Sequence, residues 1–98
     1  MSDNKPTCTT YPNGYKIWLL NGKRHREDGP AFEHPSGNKE WFLNGKLHRE
    51  DGPAVEWANG DKGWFLNGNR ATALEVFKRA NDEQRKHMLI FYPNEFSA

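Results

Sequence analysis

Trp41-Phe42-Leu43-Asn44-Gly45-Lys46-Leu47-His48-Arg49-Glu50-Asp51-Gly52-Pro53-Ala54 is the stretch on which the fold turns. Asn44-Gly45 is a strong hairpin signal, because a type I′ turn needs positive φ at both central residues. A strand from Lys39 to Leu43 and a return strand from Lys46 to His48 are therefore predicted. Counting outward from the turn sets Leu43 against Lys46, Phe42 against Leu47 and Trp41 against His48.

Working outward, the same words recur. HREDGPA stands at 25–31 and again at 48–54, and WFLNG at 41–45 and 64–68, with WLLNG at 18–22. The period is 23 residues, and it aligns Trp18, Trp41 and Trp64, then Lys16, Lys39 and Lys62, then Gly14, Gly37 and Gly60. Three units result. The outer two are incomplete, as the end repeats of a stack are: Pro6 to Thr10 replaces the Gly-Pro-Ala opening of the first, and the third breaks after Asn69.

Charge decides the second connection. A two-residue turn at Ser36-Gly37 sets Glu33 against Glu40, a repulsive pair. A three-residue loop over Pro35-Ser36-Gly37, with Gly37 left-handed, sets Glu33 against Lys39 and Glu56 against Lys62 instead, and Thr10 against Lys16 in the first unit. The three-residue loop is the predicted one.

After Gly68 the period turns helical. Thr72 with Glu75 and Asn81 with Gln84 are two capping boxes. They open either two helices or one continuous helix, with Leu74, Phe77 and Val76 on the first apolar side and Met88, Leu89, Phe91 and Tyr92 on the second, before Pro93 stops it. The predicted fold is mainly β with a C-terminal α segment, an antiparallel meander of three 23-residue hairpin repeats capped by one or two helices that cover the last sheet edge. Its predicted divisions are an N-terminal tail over 1–7, repeats over 8–70 and a cap over 71–98.

Composition narrows function. Ninety-eight residues make one domain with a thin core, to which aromatics contribute 13% of the chain. A net charge of +1 argues against an electrostatic nucleic-acid binder and against an acidic DNA mimic. No segment approaches the roughly 18 apolar residues of a membrane span, and no signal-peptide pattern opens the chain, so a cytoplasmic protein is expected. Cys8 is the single cysteine, read as a small apolar residue with no disulfide framework or cysteine-rich zinc site around it.

At Asn21-Gly22-Lys23-Arg24-His25 and Asn44-Gly45-Lys46-Leu47-His48, with the aromatic strand before each, the chain resembles MORN-type repeats. It departs from them where a glycine usually follows the histidine; Arg26 and Arg49 stand there, followed by Glu-Asp-Gly-Pro. The WFLNGKxHREDGPA form is similar to repeats found in tailed bacteriophages and large DNA viruses. The resemblance covers about residues 8–69 and implies a β-hairpin scaffold, a viral origin and protein binding. Together with the small size, it leads to the expectation of a phage-encoded module without enzymatic activity or cofactor. Such a module binds and inhibits a host protein, as an anti-CRISPR or similar anti-defence factor does.

Two other functional classes have some support in the residues. His25, Glu27 and Asp28, repeated as His48, Glu50 and Asp51, have the chemistry of a metal-dependent enzyme or nuclease. A catalytic site is built once, however, whereas these recur in tandem. They read as structural: Asp28 and Asp51 as turn formers, each histidine packed on a tryptophan, and Trp18, Trp41 and Trp64 as a core ladder. The basic groups of the tail suit a membrane-surface adaptor, but acidic residues are interleaved with them. The predicted partner surface is the stripe Tyr11, His34 and Trp57, which keeps a flat group at one repeat position without keeping its identity, with Arg79 and Arg85 next. Homo-oligomerisation through the sheet edge is a further expectation.

Overall fold

A computed structural model describes residues 5–96. Most of the predicted tail, residues 1–4, and the last two residues of the predicted cap lie outside them. The tail reading ends one residue earlier than expected, since Thr7 already belongs to the first strand.

The strands are β1 (Thr7–Thr10), β2 (Lys16–Leu20), β3 (Lys23–Arg24), β4 (Phe32–Glu33), β5 (Lys39–Glu40), β6 (Phe42–Leu43), β7 (Lys46–Leu47), β8 (Val55–Glu56), β9 (Lys62–Leu66) and β10 (Asn69–Ala71). Two helices follow, α1 (Ala73–Arg79) and α2 (Asp82–Phe91), then a 3-10 turn at Pro93–Glu95. The protein is mainly β, antiparallel throughout, with a helical C-terminus.

Both predicted turns form. Asn21, Asn44 and Asn67 have φ of 53°, 52° and 51°, and each following glycine is also positive, as a type I′ turn demands. Phe42 pairs with Leu47 and Leu43 with Lys46, and the His48 N–H donates to the Trp41 carbonyl. Gly37 has φ 108°, and Glu33 pairs with Lys39, Glu56 with Lys62 and Thr10 with Lys16.

The meander runs in two rows. One row is the sheet β1-β2-β4-β5-β8-β9-β10, from which β3 branches off at β2, while the β6–β7 hairpin forms a separate two-stranded sheet. The predicted strand Lys39 to Leu43 is divided at Trp41, whose N–H donates to Ala54 in the first row while its carbonyl accepts from His48 in the second. Trp18 does the same between Ala31 and His25. Each tryptophan is thus the crossing point between rows. The hairpins of the second row are joined in turn, Gly45 N–H to the Arg24 carbonyl and Gly68 N–H to that of Leu47.

The two capping boxes open two separate helices, each with both reciprocal bonds made. They replace, in the third unit, the segment that reads HREDGPA in the first two, and they bury Trp64 with Val76, Ala80 and Met88. The predicted apolar sides are corrected in part. Val76 is 1% exposed, but Leu74 is 54%, and on α2 only Met88 is fully buried while Leu89 and Phe91 are exposed. These helices dock by one narrow edge on the last unit, so the apolar residues beyond that edge have nothing to cover them.

Candidate functional site

Chemistry-bearing side chains gather in two places: the HRED segments along one side of the stack, and the rim made by the three-residue loops.

In each HRED segment the arginine lies on the tryptophan. The Arg26 guanidinium carbon stands 4.0 Å from the Trp18 ring centroid, and that of Arg49 stands 3.9 Å from Trp41. The expectation that a histidine packs on each tryptophan is corrected accordingly: a flat cation suits an aromatic face, and the arginine supplies it. Arg49 also bonds Asp51 at 2.8 Å, the Pro53 carbonyl at 3.2 Å, Glu56 at 3.0 Å and the Tyr92 hydroxyl at 3.1 Å. Tyr92 in turn donates to Glu56 at 3.0 Å, and burial raises its hydroxyl pKa above the usual phenol value.

The histidines work between units. Nδ1 of His25 accepts the Asn44 N–H and Nδ1 of His48 accepts the Asn67 N–H, both at 2.9 Å, so each ring fastens the next type I′ turn. That bond leaves Nε2–H as the ring donor, and in His48 it donates a hydrogen bond to Glu50 at 3.0 Å. Bonds from His48 and from Gln84 hold the Glu50 carboxyl below the usual carboxylate range. A groove of about 600 Å³ runs between the two HRED segments, past Arg26, Asp28, Trp41, Glu50 and His87. Asp28 and Asp51 are turned onto their arginines, and among the described residues no three His, Cys, Asp or Glu side chains are placed to share a metal ion.

The three-residue loops stack side by side along the opposite rim. Asn38 Oδ1 accepts the Ala58 N–H at 2.7 Å, and the Gly14 and Pro35 positions abut. This brings Tyr11, His34 and Trp57 onto one rim at one-unit intervals. Tyr11 is 43% exposed and Trp57 40%. Trp57 lies over Gly63, where a Cβ would stand 3.4 Å from its ring, so a missing side chain makes room for the indole. His34 is half-buried and held at both nitrogens, by Ser36 N–H at 3.0 Å and by the Tyr15 hydroxyl at 2.7 Å. Arg85 spends its guanidinium on the Phe77 and Lys78 carbonyls at the end of α1, both at 2.9 Å, whereas Arg79 is exposed.

The arginine–tryptophan stack and the Tyr15 brace were missed from sequence. Arginine at the position after each histidine was the available signal for the first. Among the described residues no helix is long and apolar enough to cross a membrane. No family model matches the chain, and no curated protein or solved structure matches it either.

Proposed function

We propose that this chain is a protein-binding module that acts by covering a surface of another protein, with the loop rim as its contact. The observation that carries this reading is the rim itself: a rigid line of stacked loops with Tyr11 and Trp57 half in water. Large aromatics that offer contact area at low cost in side-chain entropy are favoured at interfaces. The HRED segments, by contrast, have their arginines, histidines and aspartates engaged in internal bonds, which suits a scaffold. The resemblance to viral MORN-type repeats extends the proposal to a phage-encoded factor that inhibits a host defence protein in the cytoplasm.

Affinity capture on the immobilised chain from lysate of the bacterial host, with Trp57→Ala in parallel, tests it. A host protein retained by the wild type should bind the variant at least tenfold more weakly, about 1.4 kcal/mol. The melting temperature should fall by no more than a few degrees, since the indole is part-exposed but packs over Gly63, and capture is compared where both chains are folded. Equal capture by both chains would remove the rim from the interface and move the search to Arg79.

A further inference from the structure

The two ends of the stack are finished differently. At the C-terminal end, α1 packs beside β9 and the helices bury Trp64. At the N-terminal end, β1 closes the sheet order and all four of its residues are exposed. The repeat shows what is missing there. Cys8 is equivalent to Ala31 and Ala54, both of which are 0% exposed because the neighbouring unit covers them.

The backbone of β1 has a definite pattern of open groups. Its ladder to β2 runs Thr7 to Leu19, Cys8 to Trp18, Thr9 to Ile17 and Thr10 to Lys16. Trp18 directs its N–H and carbonyl away from β1, to Ala31 and His25. By the alternation of an antiparallel ladder, Thr7 and Thr9 bond inward to β2, and Cys8 and Thr10 point their N–H and C=O outward. The Tyr11 N–H, which donates to the Tyr15 carbonyl, continues the same inward row, and in the internal units the Ala31 and Ala54 carbonyls point outward to Trp18 and Trp41 of the unit before, although the Ala31 N–H turns inward to Glu40. Before the row stands Pro6, which has no N–H to offer, and after it the chain leaves the strand in the loop that opens at Pro12.

This row is self-complementary. Turned about a two-fold axis at Thr9, it sets Cys8 against Thr10 and Thr10 against Cys8, so that every outward N–H and C=O of both residues is used. The strand carries none of the usual protections of an edge. It has no charge, its threonines favour the sheet, and Thr10 replaces the Glu33 and Glu56 of the internal units. Because the helices obstruct the other end, copies cannot add head to tail. An edge-to-edge pair closes at two.

We propose that β1 pairs antiparallel with β1 of a second copy of this chain, about a two-fold axis at Thr9, to form a continuous sheet through a dimer. Sedimentation equilibrium of the wild type should give twice the 11.4 kDa chain mass. Thr10→Pro removes one outward N–H at an edge position, and Thr9→Lys places two like charges across the axis without touching the backbone. Both should sediment as monomers with unchanged circular dichroism. If Thr10→Pro fails to fold, Thr9→Lys alone decides. A chain carrying Cys8→Ala with Thr9→Cys, its single thiol on the axis, should cross-link faster under mild oxidation than the wild type. A monomeric wild type, or a dimer that survives Thr9→Lys, overturns the proposal; faster cross-linking through Cys8 overturns the register.

Discussion

Arg26 and Arg49 hold the same place in successive units and differ in how far water reaches them, 23% against 9% of the side chain. At both, a Cβ on the following glycine would stand 2.7 Å from the guanidinium carbon. Both are bonded to the turn aspartate and the proline carbonyl, but Arg49 is held further by Glu56 and Tyr92, so the more exposed Arg26 gives way more readily. Gly52→Ala should therefore cost about 2 kcal/mol in urea unfolding, and Gly29→Ala less than half of that. Glu50 offers a test by pH. Its pKa is lowered on folding, so its ionised form stabilises the fold above the unfolded-state value, and that contribution is lost as pH falls through the lower folded value. An NMR titration should find Glu50 protonating below the usual carboxylate range, and Gln84→Ala should raise its midpoint.

At the scale of elements, α1 has only seven residues and depends on its cap. Thr72→Ala removes the acceptor for the Glu75 N–H and should cost about 1 kcal/mol, read as an earlier loss of Trp64 near-ultraviolet dichroism on heating. The caps, like both turn types, were legible because they rest on bonds between residues two to four apart. Glu33, Lys39, Glu56 and Lys62 fixed the loop length through charge alone. The division at Trp41 was hidden, because a strand that changes partners halfway has the same composition as one that does not. The Tyr15 brace on His34 was hidden for another reason. Its equivalent is Asn38, which fastens the next loop through a different atom type, so the function repeats while the residue does not. Leu89 and Phe91 were misplaced because helical periodicity gives the apolar side but not how much of it finds a neighbour.

For the whole molecule, the decisive feature is the distance along the chain between residues that bond. The braces between units, His25 to Asn44, His48 to Asn67, Tyr15 to His34 and Asn38 to Ala58, all join residues 19 or 20 apart. The cap reaches much further, 43 residues from Arg49 to Tyr92, 36 from Glu56 to Tyr92 and 31 from Trp64 to Glu95. Short loops cost little entropy to close, so the units can zip together before the tail arrives. Folding speed should then be set within the repeats, and the lifetime of the native state by the tail. In stopped-flow kinetics, His48→Ala should slow refolding. Tyr92→Phe should leave the refolding rate nearly unchanged and accelerate unfolding, which makes the C-terminal segment a latch that governs how long the assembled stack persists.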